Sequence, residues 1–169
     1  MAETSNDVIK RYLEDAIAAE KSFETQLQGF SKEGDDEVVK STFQQHALET
    51  RTQYDRLTAR LEALGGSTST AKSILAHIFN LTPKAAQIGH EKEERTTQNL
   101  MMAFAVENSE CAMYESLAAV AEAAGDTQTA SLARQIQAEE KATAEKVWRL
   151  LSPAALDAFR RITGDSTAA

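Results

Sequence analysis

Proline and glycine are scarce in this chain. Two prolines and seven glycines among 169 residues leave long stretches with nothing to break a helix. Cysteine occurs once, which excludes an internal disulfide and a cysteine-based zinc site and suits a cytoplasmic location. No run approaches 18 apolar residues, and the N-terminal MAETSNDV has no signal-like apolar core. Membrane insertion and classical secretion are therefore not expected. Bases are the minority, 18 against 26 acids, for a net charge of −8 with no basic stripe to offset it. Nucleic acid is accordingly not an expected partner. The chain is 42% hydrophobic and 6% aromatic, and its length suits one domain around one core.

What the chain does have is helical periodicity. Residues 1–7 offer Ser5, Asn6 and Asp7 as N-caps, and the pattern predicts a first helix from about Val8 to Phe30. Its apolar face is Ile9, Tyr12, Ala16, Phe23, Leu27 and Phe30, with Glu20 where a leucine would be expected. Gly34 and Asp35 supply a stop and a fresh cap, and a second helix runs to Leu64 before Gly65-Gly66. Val39, Phe43, His46, Ala47, Thr50, Tyr54, Leu57 and Leu61 form its face, with Glu49 on the edge one turn beyond His46. Between Ser67 and about Glu91 the pattern weakens. STSTAKSILAHIF suggests a short helix, and Thr82-Pro83 a cap with an N1 proline. His77 and His90 in this segment are not expected to be ligands.

The stretch 97–125 is the most informative. Leu100, Ala103, Phe104, Cys111, Tyr114, Leu117, Ala118 and Ala121 recur at spacings of three and four, and Glu107 falls within that face. Glu110 follows one turn later. Gly125-Asp126 punctuates, and a fourth helix is expected from Thr127 to Leu150, with Trp148 packing it against a short tail helix that opens at Ser152-Pro153. The reading is a single all-α domain over 1–169, with its bundle at about 7–150 and its tail helix at about 153–161. Short breaks at 31–36 and 125–126 make two antiparallel hairpins, and a long crossover at 66–91 joins helices two and three.

Counting from the turns at about 1.5 Å per residue, Glu20 and Glu49 stand at similar heights, as do Glu107 and the pair Glu139 and Glu140. Four helices thus aim carboxylates at one slab of core. Such a cluster repels itself unless cations compensate it. Hard oxygen ligands with one imidazole, His46, suit iron or manganese. Periodicity leaves Glu139 and Glu140 as alternatives. It also leaves Glu49, Glu110 and Glu140 near enough to the face edge to serve instead as surface partners of Lys or Arg.

The stretches 16-AIAAEKSFETQL-27, 43-FQQHALETRTQYDRL-57, 106-VENSECAMYESLAAVAEAAG-125 and 139-EEKATAEKV-147 resemble the YciE/YciF-like ferritin-like stress proteins of bacteria. The resemblance spans roughly residues 7 to 150. It implies a ferritin-like four-helix bundle that forms a homodimer and holds a dinuclear iron or manganese centre. By position it would make Glu20, His46, Glu49, Glu107, Glu110 and Glu139 or Glu140 the metal ligands. The chain departs from the family pattern where 48-LETR-51 replaces a segment that tends to read E-E-T-H, and where Asn108 replaces a frequent histidine. The E-x-x-H spacing meets Thr52, Ala142 and Thr143 instead. Arg51 is a candidate to replace a metal charge by an ion pair. The expected function is a non-haem metalloprotein with two Fe or Mn ions that oxidises Fe(II) or reacts with oxygen or peroxide under stress. The alternative is a non-catalytic, stress-protective bundle with a degenerate site.

Overall fold

In the computed structural model, residues 3–68 and 89–164 are described. They form four long helices: α1 (Ser5–Phe30), α2 (Glu37–Ala63), α3 (Arg95–Ala123) and α4 (Thr127–Thr163), with a 3-10 turn at Lys92–Glu94 leading into α3. Local chemistry sets the helix starts. Thr4, rather than Ser5, Asn6 or Asp7, caps α1: its hydroxyl accepts from the Asp7 amide while the Asp7 carboxylate accepts from the Thr4 amide. Asp36, rather than Asp35, caps α2 by accepting from the amides of Val38 and Val39 at 2.8 and 3.1 Å. The turn before it passes through Gly34 at φ +73°, where an added Cβ would also collide with the Thr96 hydroxyl.

The expected short tail helix is not separate. α4 continues through Pro153 to Thr163 as one helix. An interior proline forfeits a backbone hydrogen bond, but the buried stripe runs on across it through Val147, Ala154 and Ala158 and holds the helix together. Trp148 is correspondingly not an anchor against a tail: it is 61% exposed and its ring leans on Phe104. Phe104 and Cys111, expected on the buried face of α3, are only half-buried.

The core is split in two. One cluster joins Phe23, Leu27 and Phe30 of α1 to Val39 and Phe43, Leu100 and Ala103, and Val147. The other joins Ile9, Leu13 and Ile17 to Leu57 and Leu61, Tyr114 and Leu117, and Ala133 and Ile136. The late part of α1 therefore lies at the same end as the early parts of α2 and α3 and the late part of α4. α1 and α2 form one antiparallel hairpin, α3 and α4 the other, and α2 runs parallel to α3. The end of α2 and the start of α3 therefore lie at opposite ends of the bundle, separated by the length of a helix of 27 residues, about 40 Å. The expected short helix, the Thr82-Pro83 cap and His77 lie outside the described residues. His90 is exposed and contacts Glu94 at 3.3 Å, within one surface turn. Among the described residues, no helix is long and apolar enough to cross a membrane.

Candidate metal centre

Between the two apolar clusters lies a polar layer. Glu20 from α1, His46 from α2, Glu107 and Glu110 from α3 and Glu140 from α4 are each 2% exposed or less. Each reaches the interior because it falls on its helix's apolar stripe. Glu20 follows Leu13, Ala16 and Ile17; His46 follows Val39 and Phe43; Glu107 and Glu110 lie between Ala103 and Tyr114; Glu140 lies between Ile136 and Val147. Thr50, Gln53, Gln137 and Thr143 are also buried on the inner faces of α2 and α4.

The geometry converges on three residues. One ligand atom from each of His46, Glu107 and Glu140 lies within 4.8 Å of the others. His46 Nε2 is 2.8 Å from Glu107 Oε1, yet neither ring nitrogen has an aligned hydrogen bond. The two atoms are close without an N–H pointing along the contact. Phe23 meets the imidazole edge-on at 5.2 Å between ring centroids and fixes its plane. Glu20 accepts a hydrogen bond from the Tyr114 phenol. With every carboxyl ionised, seven buried atoms in the layer have no hydrogen-bond partner: Glu20 Oε2, both nitrogens of His46, both oxygens of Glu107, Glu110 Oε1 and Glu140 Oε1. Orphaned buried atoms at this density are unusual in a folded protein and call for a compensating group.

The electrostatics follow from burial. Desolvation raises Glu107 to about 8, against a hydrogen bond shared with Glu140 that lowers it; Glu20 and Glu49 repel its charged form. Glu20, Glu110 and Glu140 are pushed well above the usual carboxylate range, first by burial and then by neighbouring carboxylates: Glu140 acts on Glu20, Glu20 and Glu140 on Glu110, and Glu107 on Glu140. Burial lowers His46 to about 4, so its imidazole is neutral at physiological pH and offers a lone pair. Tyr114 is raised well above its ordinary value, again first by burial. No Lys or Arg is buried in the layer among the described residues. Four buried carboxyls and one neutral imidazole together fit a hard or borderline cation.

The remaining sequence candidates sit at the rim. Glu49 is 35% exposed, bonded to Gln45 at 3.2 Å and 3.9 Å from Lys146. Glu139 is 45% exposed and takes both its oxygens to Arg56 at 2.8 Å. Of the adjacent pair, Glu140 faces in and Glu139 out. Arg51 does not reach the layer; it pairs with Asp55 at 3.3 Å and Glu24 at 3.8 Å and stacks on Tyr54. Asn108 is exposed and bonds back to the Phe104 carbonyl. Periodicity missed Gln53, which donates to Glu139, and Gln137, which donates to Glu115 and the Cys111 carbonyl. Their signal was available: Gln53 is three residues after Thr50, and Gln137 three before Glu140.

A four-helix bundle with a buried layer of carboxylates and one imidazole is a ferritin-like protein. The chain belongs to the family described as a domain of unknown function, DUF892, whose model matches residues 4–159. The E. coli stress protein YciF is similar at 26% identity over 91% of this chain and 98% of its own, with a TM-score of 0.76. A protein from Xanthomonas campestris pv. campestris is similar at 25% identity over 94% of this chain and 98% of that one, with a TM-score of 0.77. Another from Rhodopseudomonas palustris, at 24% identity over 86% and 93% and a TM-score of 0.76, shares the fold. No curated protein matches. The resemblance to YciE/YciF-like proteins therefore holds.

Proposed function

We propose that the layer binds iron or manganese and that the protein is a non-haem metalloprotein of the stress response. The observation that carries this reading is the group of seven buried, partnerless ligand atoms on four helices. His46, Glu107 and Glu140 would hold one cation, and Glu20 and Glu110 are the carboxylates for a second. With one nitrogen among five ligands, the set favours iron or manganese over softer ions. Two such ions would supply the capacity to exchange electrons with oxygen or peroxide while Fe(II) is oxidised. The chain's own contribution is distinct. The apolar clusters above and below exclude bulk water, Phe23 orients the imidazole, and Tyr114 fixes Glu20 through its hydroxyl. The raised carboxyls keep the metal-free layer largely protonated, so loading a cation releases protons.

A second reading is a stress-protective bundle without turnover. It is favoured by the same protonation: Glu107 and Glu140 can share a proton, and Glu20 has the Tyr114 phenol, so the layer can be neutral without any cation. Elemental analysis of protein purified from metal-replete cells separates the two. About two ions of iron or manganese per chain support the first reading; none supports the second. Association of the chain with a second copy belongs to the same proposal, and sedimentation of the metal-loaded protein tests it.

A further inference from the structure

The buried layer has no opening of its own, since its five ligand-type side chains are almost wholly covered. A cation must therefore pass between helices. Among the described residues, two surface clefts are lined by immediate chain neighbours of the layer residues. The larger, about 570 Å³ between α3 and α4, is walled by Phe104, Ala144 and Trp148. Its charged groups are Lys141, Arg149 and Glu145, with Arg149 and Glu145 paired at 3.5 Å. Lys141 leaves that rim with an excess of positive charge, which repels a cation.

The smaller cleft, about 350 Å³ between α2 and α4, is built differently. Glu49, Arg56, Glu139 and Lys146 ring it, and the buried Thr143 lies among its lining residues. Helix geometry ties each to the layer. Glu49 is one turn beyond His46 on α2, Glu139 is next to Glu140, and Thr143 is one turn beyond Glu140. The charge of Glu49 is felt by both His46 and Glu107, and that of Glu139 by Glu20 and Glu140. Within one helical turn of these lining residues, on the same two helices, are His46, whose nitrogens are partnerless, and Glu140, whose Oε1 is partnerless.

We propose that the α2–α4 cleft is the route by which divalent cations reach the layer, with Glu49 and Glu139 as transfer ligands at its mouth. Arg56 and Lys146 are the counter-ions that these carboxylates exchange for an incoming cation. The proposal rests on the metal-binding reading above. The distances support the exchange. Lys146 stands 3.9 Å from Glu49, a loose contact, and both Glu49 and Glu139 keep a third or more of their side chains in water. The exposed Glu49–Lys146 pair contributes little to stability and is readily displaced, whereas Arg56 holds both oxygens of Glu139 at 2.8 Å and must be drawn off by the arriving cation. A carboxylate that is half in water and next to a buried ligand can take a hydrated cation and pass it inward.

The test is rapid mixing of the full-length metal-free protein with Co(II), followed through the visible absorbance that develops on ligation. Glu49→Gln/Glu139→Gln should load about fivefold more slowly or worse, by loss of local attraction, at unchanged final stoichiometry. Arg56→Gln/Lys146→Gln should load faster by about twofold or more. Lys141→Gln/Glu145→Gln, in the other cleft, should load at the wild-type rate. Glu139→Gln alone, at an exposed position, provides a slower-loading variant should the double substitution fail to fold. Wild-type rates in the Glu49 and Glu139 variants would overturn the route, and so would slowing in the Lys141 and Glu145 variant. A fall in final stoichiometry would overturn the transfer role, because those carboxylates would then be permanent ligands. No acceleration on removing Arg56 and Lys146 would overturn the exchange. Failure of the wild type itself to bind Co(II) would instead overturn the metal reading, a result distinct from all of these.

Discussion

Replacing Glu107 by Gln perturbs the centre of the layer with little change in shape. In the fold this carboxyl is raised from 4.5 to about 8, chiefly by burial. Between those values it is protonated in the folded chain and ionised in the unfolded one. Its contribution is thus fully present below pH 4.5 and is lost as pH rises through 8, at about 1.4 kcal/mol per pH unit. By pH 7.5 the metal-free wild type has lost roughly 4 kcal/mol from this group alone. Gln cannot ionise, so the variant escapes that loss. In EDTA, Glu107→Gln should match the wild type near pH 5 and melt roughly 10 °C higher at pH 7.5. Added Mn(II) should close most of that gap at pH 7.5: the wild type gains about 3 kcal/mol at a hundredfold excess over Kd, and the variant gains little. Differential scanning calorimetry at pH 5 and 7.5, each with EDTA and with Mn(II), makes the comparison. A metal-free variant that melts at or below the wild type at pH 7.5 would refute the burial argument. It would mean that Glu107 is held ionised by a cationic partner, whose loss costs roughly 3 kcal/mol or more. A wild type indifferent to Mn(II) and Fe(II) would refute the metal reading.

His46 titrates with the opposite sign. Its folded value of about 4 lies below the ordinary 6.5 of an imidazole, so its contribution is present above 6.5 and lost as pH falls through 4. Urea denaturation of His46→Gln in EDTA should show an acid limb flatter by roughly 3 kcal/mol across that interval; an unchanged limb would show that His46 is not buried neutral. Tyr114→Phe removes the only hydrogen bond to the Glu20 carboxyl among the described residues and should cost about 1–3 kcal/mol in urea denaturation, with no loss at all counting against the contact. Arg60→Ala strands the part-buried Asp126, which caps α4 and is bound by Arg60 Nη2 at 2.7 and 2.8 Å. It should destabilise by roughly 2–3 kcal/mol, readable as a lower melting temperature. Gly34→Ala meets both a left-handed φ and the Thr96 hydroxyl; it should cost about 1 kcal/mol or more, whereas a neutral result would show that the turn can rearrange.

The sequence determined the helices, because a helix is a local object. The stripes at three and four residues, the scarcity of proline and the stops at Gly34 and Gly125 are all legible along the chain. It also marked Glu20, His46 and Glu107 as interior, since each interrupts an apolar stripe near its centre. It could not decide between Glu139 and Glu140, which are adjacent and about 100° apart on a helix. That choice depended on the position of Arg56, contributed by a neighbouring helix, which draws Glu139 outward and leaves Glu140 inside. Pro153 misled for the same reason. Its local rule breaks a helix, and only the packing of Ala154 and Ala158 against the bundle overrides it. The phenol of Tyr114 on Glu20 joins residues 94 apart, and the close approach of His46 to Glu107 joins α2 to α3. Contacts of that range have no periodic signature. They exist only where the two hairpins pack together and bury the acids between them.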